Sequence, residues 1–414
     1  MQYTLWAISF VSLWLTIIWL SIVFLQPEPR PKKLATHPSV TIAVPAYNGG
    51  ARVLRTLESI KALAYPAEQL QTIVVNDGST DNTAFVVQEF MRNNPHMRVK
   101  LVQHSHNKGK GAALNTALEQ TTSEFFACMD CDSRVEPDAL QKILLAFDDA
   151  KVAAVIPTVK VDQPHNGFEY LQRVEYVLSN LVRQLLATMG TLFLTHGVLS
   201  VFRVPALREV GGFDADKNNI TEDLEIAMRL RKHHYITAMA SDAIGYTHVP
   251  QTFNALWRQR IRWFRGFLYN HHKFKELIGR PAYGLFGMFQ LPLNLLSVVL
   301  LLATVTIISY GGLKDLLEFV IRSVTIKGYF WNHVLDFPTL KEFLLGQNVQ
   351  IVLPIFLGSV LGIWLIVIAH QRLKEKILRH IGHIWFYFLV MPYLTSIHWM
   401  SSITHEILKT KRKW

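Results

Sequence analysis

Several acidic clusters stand where apolar strands would end, and carboxylates in that position can hold a cation or move a proton. Asp130-Cys131-Asp132 follows the apolar run Phe125–Met129. Two carboxylates one residue apart repel each other and are costly without a partner. A hard divalent cation, Mg2+ or Mn2+, relieves that cost by bridging to substrate phosphates, and such ions need only one or two carboxylates. On a loop the same pair is an ordinary solvated turn; the buried strand before it favours a ligand. Thr221-Glu222-Asp223 opens the helical pattern Leu224–Leu230. Thr221 can act as N-cap with the acids in the first turn, or Asp223 can be a general base for an acceptor hydroxyl.

Three further segments carry the same double reading. Asn76-Asp77-Gly78-Ser79-Thr80-Asp81 is a turn whose Ser79, Thr80 or Asp81 suits a helix cap. Asp77 is not needed for that, and its carboxylate can accept from ribose hydroxyls or a base N–H. In Val44-Pro45-Ala46-Tyr47-Asn48, Pro45 is expected to end a strand ladder and Tyr47 offers a flat face to a base. Gln259-Arg260-Ile261-Arg262-Trp263 offers guanidinium forks to a diphosphate and an indole face to a pyranose. A juxtamembrane basic helix is the competing reading. Cys128 and Cys131, the only two cysteines, have redox spacing but bracket the Asp pair.

The elements that must position these groups alternate. Strands are expected at Val40–Val44, Thr72–Asn76, Val99–Gln103, Phe125–Met129 and Val152–Val159. Helical patterns follow at Ala51–Leu63, Thr83–Met91, Gly111–Glu119 and Pro137–Phe147. Such alternation predicts an α/β domain with a mostly parallel, Rossmann-like sheet, whose ligands bind at the carboxyl ends of the strands. The acidic clusters fall at those ends.

Half of the 414 residues are apolar, and the formal net charge is +11. Thr4–Leu25 carries no charge and is long enough to cross a lipid bilayer. No Lys or Arg precedes this run and no small-x-small site follows it, which argues against a cleaved signal peptide. Arg30, Lys32 and Lys33 place its C-terminal flank in the cytosol, and Pro27, Pro29 and Pro31 make a stiff linker. Leu285–Tyr310 and Val349–Ala369 read as spans, Ile384–Ile403 as a weaker one interrupted by Pro392, and 311–348 as a loop. If all three cross, the basic tail Lys409–Lys413 ends outside, against the positive-inside expectation, so three or four true spans are expected in total, with an interfacial or re-entrant last segment as the alternative to a fourth. The expected division is an N-terminal transmembrane helix at 1–27, a cytosolic domain at 28–275 and a membrane region of two to three helices at 276–414. No nucleic-acid-binding signature accompanies the basic charge.

Taken together, Asp77, Asp130/Asp132, Thr221-Glu222-Asp223 and Gln259-Arg260-Ile261-Arg262-Trp263 resemble, in order, the motifs of the processive family 2 glycosyltransferases: the cellulose, chitin-oligosaccharide, hyaluronan and poly-N-acetylglucosamine synthases. The resemblance covers about Val40 to Gly266. It implies a GT-A fold with flanking transmembrane α-helices, a UDP-sugar donor, a glycan acceptor, and a multi-pass protein of the plasma membrane with its catalytic domain in the cytosol. It implies that Asp77 contacts uridine, with Pro45 and Tyr47 beside the nucleotide. Asp130 and Asp132 hold the diphosphate and metal, and Asp223 is the base with Glu222 at its side. Gln259, Arg260 and Arg262 address the diphosphate, Trp263 stacks on the acceptor sugar, and Lys110 lies near the phosphates. His196–Arg203 is similar to the family's acceptor-side loop, but His196 and Val198 depart from its small and polar residues. Short length and the lack of a PilZ-like segment lean towards GlcNAc over glucose. An accessory membrane subunit is compatible with so few spans. The rival readings are a non-processive glycolipid-forming transferase, a polysaccharide transporter and an inactive nucleotide-binding subunit.

Overall fold

The computed structural model describes residues 2–25, 34, 36–335, 349–373, 375 and 381–412. The charged and proline-rich linker at 27–33, the stretch 336–348 and Lys413 lie outside them. The chain forms two compact units. One comprises residues 1–26, 293–368 and 389–396, the other 27–292, 369–388 and 397–414.

The larger unit is built on strands β1 (Val40–Ala46), β2 (Leu70–Asn76), β3 (Arg98–Gln103), β4 (Phe125–Met129), β5 (Arg134–Val135), β6 (Val152–Val161), β7 (Val198–Arg203) and β8 (Ile236–Thr247). They form one sheet in the order β3-β2-β1-β4-β7-β6-β8-β5. Helices α2 (Arg52–Lys61), α3 (Thr83–Asn93), α4 (Lys110–Glu119) and α5 (Ala139–Leu145) supply the crossovers of the first half. β1 and β4 are buried almost throughout, as strands covered on both faces must be, whereas the edge strand β3 is nowhere fully buried. The sheet is parallel across β3-β2-β1-β4, but β4 and β6 both run antiparallel to β7 and β5 runs antiparallel to β8. It is therefore mixed, less parallel than the strand–helix alternation implies. The difference comes from β7, where the sequence reading placed a loop at His196–Arg203, and from β8, which it missed. The chain winds from β1 outward to β3 and then returns to place β4 on the other side of β1. A crevice opens at the carboxyl ends of two strands where the order reverses in this way.

Pro45 does not end β1. It lies inside the strand, paired in register with Val75 of β2, beyond the last register pair with β4 at Ala43 and Cys128. Proline is tolerated there because the strand has already lost a neighbour. Four longer or capping helices complete the unit: α6 (Gly167–Thr188), α7 (Val204–Glu209), α8 (Glu222–Lys232) and α9 (Phe253–Lys273). The N-terminus of α6 is fixed by a capping box of Asn166 and Glu169.

The smaller unit is helical. It draws on α1 (Gln2–Leu25), α10 (Leu291–Thr325), α11 (Tyr329–Leu335), α12 (Val349–Arg372) and the middle of α13 (Ile381–Ile407). Within it Phe24 of α1 packs on Trp364 of α12, ring centroids 5.3 Å apart. Among the described residues three helical segments are long and apolar enough to cross a membrane: Tyr3–Phe24, Phe286–Thr325 and Val352–Arg372. The loop expected from Gly311 is instead a continuation of α10. Glu318 pairs there with Lys314 and Arg322 at helical spacing, and neither Gly311 nor Gly312 has a positive φ that would break the helix.

Candidate active site

A cleft of about 1080 Å³ lies in the larger unit, at the carboxyl ends of β1, β2 and β4. It is lined by Pro45, Tyr47, Asp77, Lys110, Asp130, Asp132, Glu222, Asp223, Gln259, Arg262 and Trp263. The sheet reversal brings the ends of β1, β2 and β4 together, and helix N-termini and one helix face bring the rest.

Asp77 follows β2 and is almost fully enclosed. Its carboxylate accepts from the backbone N–H of Lys108 (2.9 Å) and of Gly109 (2.8 Å) and meets His104 Nδ1 at 2.7 Å. Its first task is therefore to hold the 104–109 turn that presents Lys110. Three donors leave one of its lone-pair directions for a ligand. The turn after it is tied by Asp81, which accepts from the Thr83 N–H at 3.0 Å at the start of α3.

Lys110 opens α4 and sits between two acids, its Nζ 2.7 Å from Asp130 Oδ1 and 2.8 Å from Glu222 Oε1. Burial opposes its charge, but the carboxylates of Asp130, Glu222 and Asp223 outweigh it and hold the ammonium well above its ordinary range. One lysine thus ties the end of β4 to the start of α8. Asp130 is fixed from the other side as well, its N–H donating to Gly197 O at 2.6 Å. A Cβ on Gly197 would fall 1.8 Å from Asp130 Oδ2, so only glycine allows this approach.

The four carboxylates are not equivalent. Burial raises Asp130, and Asp132 adds to the rise, more than Lys110 offsets. Burial acts on Glu222 in the same sense, but there the Lys110 ammonium prevails and the carboxyl is held below its usual range. Burial and the Glu222 charge push Asp223 up to about 6. Asp223 Oδ1 accepts from the Leu224 N–H at 2.8 Å, and its backbone carbonyl accepts from Thr195 Oγ1 at 2.8 Å. Thr221 is the residue before α8 but does not cap it through its side chain; Thr221 Oγ1 accepts instead from Asn270 Nδ2 of α9 at 3.0 Å. Cys128 and Cys131 are free thiols rather than a disulfide, and burial pushes Cys131 up to about 12.

A divalent cation fits this arrangement. Burial, with the Asp132 charge added, pushes Asp130 towards protonation, and a cation beside the two carboxylates relieves that cost. Among the described residues no group of three or more His, Cys, Asp or Glu forms a cage. The donor set thus suits an ion that takes one or two carboxylates and completes its shell from phosphate and water.

On α9, Gln259, Arg262 and Trp263 face the cleft. Arg260 does not. Its Nη2 pairs with Glu175 Oε2 of α6 at 2.7 Å, and its guanidinium lies 4.3 Å from the centroid of Trp263. The diphosphate role is withdrawn from Arg260, which supports the indole from behind. Helical geometry separates Arg260 from Arg262, since residues two apart point about 200° away from each other, while Gln259, Arg262 and Trp263 share a face as i, i+3 and i+4. The sequence reading also missed Tyr176, Arg183, Lys217, Lys411 and Arg412, all of which line the cleft. Lys411 and Arg412 arrive from the C-terminal segment, where Arg265 donates to Thr410 O at 2.6 Å and pairs with Glu406 at the same distance. The apolar Phe264–Trp399 stack, centroids 4.3 Å apart, closes that side.

Residues 37–266, more than half of the chain, match the sequence profile of the family described as glycosyltransferase like family 2, and the chain belongs to that family. Its sheet and flanking helices are a GT-A fold. The chain is 31% identical over 229 residues to a poly-beta-1,6-N-acetyl-D-glucosamine synthase of Staphylococcus epidermidis, covering 55% of this chain and 54% of that protein. It is 29% identical over 269 residues to another protein of that name and species, covering 62% and 64% respectively. The chain thus spans between about half and two thirds of the length of these curated relatives. Among solved structures, a mannosyltransferase from Pyrobaculum calidifontis in complex with GDP-Man and Mn2+ superposes with a TM-score of 0.59 at 21% identity, covering 87% of this chain and 99% of that one. That likeness is one of fold.

Proposed function

We propose that this chain transfers N-acetylglucosamine from UDP-GlcNAc to the end of a growing β-linked glycan, with inversion, at a membrane. The observation that carries the reading is the bridging of Asp130 and Glu222 by Lys110, which gathers the acids of β4 and α8 beside Arg262 and Trp263 in one cleft. The poly-N-acetylglucosamine synthase relatives support the choice of sugar and of polymer.

In this reading the donor's diphosphate lies between Lys110, Arg262 and the Asp130/Asp132 pair. Tyr47 and the remaining acceptor position of Asp77 face the nucleoside. Asp132 and Asp130 hold Mg2+ or Mn2+, which when bound supplies charge neutralisation for the departing diphosphate. Asp223 takes the proton from the acceptor hydroxyl as the new O–C1 bond forms and the C1–O bond to UDP breaks. A carboxyl near 6 is ionised at neutral pH yet basic enough for the task. Trp263 carries the terminal acceptor sugar on its face, held by Arg260 beneath. The three apolar helices anchor the chain in a bilayer, with the catalytic domain in the cytosol where nucleotide sugars are made.

The test is UDP release from membranes against a panel of UDP-sugars, with products sized by mass spectrometry. A GlcNAc ladder dependent on UDP-GlcNAc is expected. A single added sugar on a lipid would replace the polymer by a glycolipid, and no UDP release from any donor would end the transferase reading.

A further inference from the structure

Three buried polar atoms of cleft-lining residues have no partner among the described residues, and besides Gln259 Oε1 on α9 they belong to Arg183 and His196. Arg183 Nε on α6 and His196 Nδ1 before β7 are closed to solvent and unbonded among the described residues. Both residues line the cleft. Buried polar groups are nearly always paired, and an exception in a cleft points to a ligand. Among the described residues the sole hydrogen bond of Arg183 is a long one, Nη1 to Asn180 Oδ1 at 3.4 Å, and no carboxylate pairs with it. Burial accordingly lowers its pKa.

The two atoms differ in sense. His196 Nε2 lies 3.2 Å from Pro157 O. A carbonyl can only accept, so Nε2 carries the hydrogen and Nδ1 presents a lone pair. Burial and the Arg183 charge push this imidazole down to about 3, so it stays neutral. The site therefore offers one donor and one acceptor. A carboxylate or phosphate would satisfy Arg183 but would face the His196 lone pair and the Asp223 carboxylate. A planar amide, with a carbonyl to accept and an N–H to donate, satisfies both. Phe193, Leu194 and Val198 line the same cleft and suit the methyl that an acetamido group carries.

We propose that Arg183 and His196 together read the 2-acetamido group of the acceptor's terminal sugar, and so select an N-acetylhexosamine chain end. This rests on the reading of the cleft as a UDP-sugar transferase site, and it concerns the acceptor because Arg183 lies within electrostatic reach of Asp223, the base for the acceptor hydroxyl.

The test uses the detergent-solubilised full chain with a β-linked N-acetylglucosamine tetramer and the glucose tetramer of the same linkage. Binding of each to the UDP-loaded protein and its extension from UDP-GlcNAc are measured. The parent should favour the acetylated tetramer by at least about 10-fold, because a site with buried hydrogen-bonding groups rejects an analogue that leaves them unpaired. Arg183→Leu and His196→Phe should each lose most of that preference, with Arg183→Lys intermediate, while UDP affinity is kept as the control for folding. Equal use of the two tetramers by the parent overturns the proposal, as does failure to bind either, or an equal loss on both in the variants. Absence of UDP binding in the parent sinks the transferase reading and this proposal with it; intact UDP binding without acceptor preference sinks this proposal alone.

Discussion

Asp223 is held near 6 by burial and by Glu222, and its two protonation states predict opposite effects on activity and stability. A base works only as the carboxylate, so kcat/KM is expected to be level above neutrality and to fall as pH drops through about 6. Asp223→Asn should keep UDP binding and lose transfer by roughly 10²-fold or more. For stability the sign reverses. A carboxyl whose folded pKa lies above its ordinary value of 3.8 destabilises the fold at neutral pH, and that penalty is lifted as pH falls from about 6 towards 4. Asp223→Asn should therefore melt no lower than the parent at pH 7.5. A large fall in melting temperature alongside the lost activity would make Asp223 structural. Asp132 is argued on different grounds, as the neighbour whose charge loads Asp130. Asp132→Ala should weaken UDP binding measured with Mg2+ or Mn2+, towards the level the parent shows in EDTA. Identical parent affinity with and without EDTA would remove the cation from the site.

At the scale of elements, α9 decides which side chains reach the cleft, and its seating on the Thr221 turn depends on a missing side chain. A Cβ on Gly266 would lie 2.2 Å from Thr221 Oγ1, so Gly266→Ala must push α9 away from the residue that precedes Glu222 and Asp223. Overpacking of this kind costs about 1–3 kcal/mol. Both a lower melting temperature and a roughly 10-fold or larger loss of turnover are expected, since small misplacements of catalytic groups are expensive. Unchanged turnover would show that α9 does not position the acids. The same helix shows what the sequence could convey. Gln259, Arg262 and Trp263 obey a helical face, but Arg260 is also three residues from Trp263, so only its pairing with Glu175 of α6 sets it aside. The acids at the ends of β2 and β4 were legible because buried parallel strands read as unbroken apolar runs with the motif directly after them. β7 was not legible, because its glycine and histidine flank imitate a loop and its pairing partners are antiparallel and distant. β8 was hidden by Ser241 and Asp242 and by a register shift opposite Pro157 and Thr158. Arg183 was invisible because only the tertiary fold turns that face of α6 into the cleft and withholds a counter-ion.

For the whole molecule, the number of membrane crossings follows from where α13 begins and ends. Residues 369–388 and 397–414 belong to the same compact unit as the catalytic domain. A helix that crosses a bilayer puts its ends on opposite faces, so we propose that α13, with both ends in that unit, does not cross. Pro392 within it agrees with an in-plane or re-entrant course. The parity problem in the sequence then disappears. On that proposal α1 would enter the cytosol, α10 leave and α12 return, and the basic C-terminal segment would end on the cytosolic side as the positive-inside rule requires. Lys411 and Arg412 line the cleft, so they must lie on the same side of the membrane as the catalytic domain. A reporter fused after the last residue should be active only in the cytosol and resist protease added to intact cells, matching a reporter placed in the exposed turn at Asp148–Ala150. A C-terminal reporter exposed to the outside would require α13 to cross and would detach residues 397–412 from the catalytic unit.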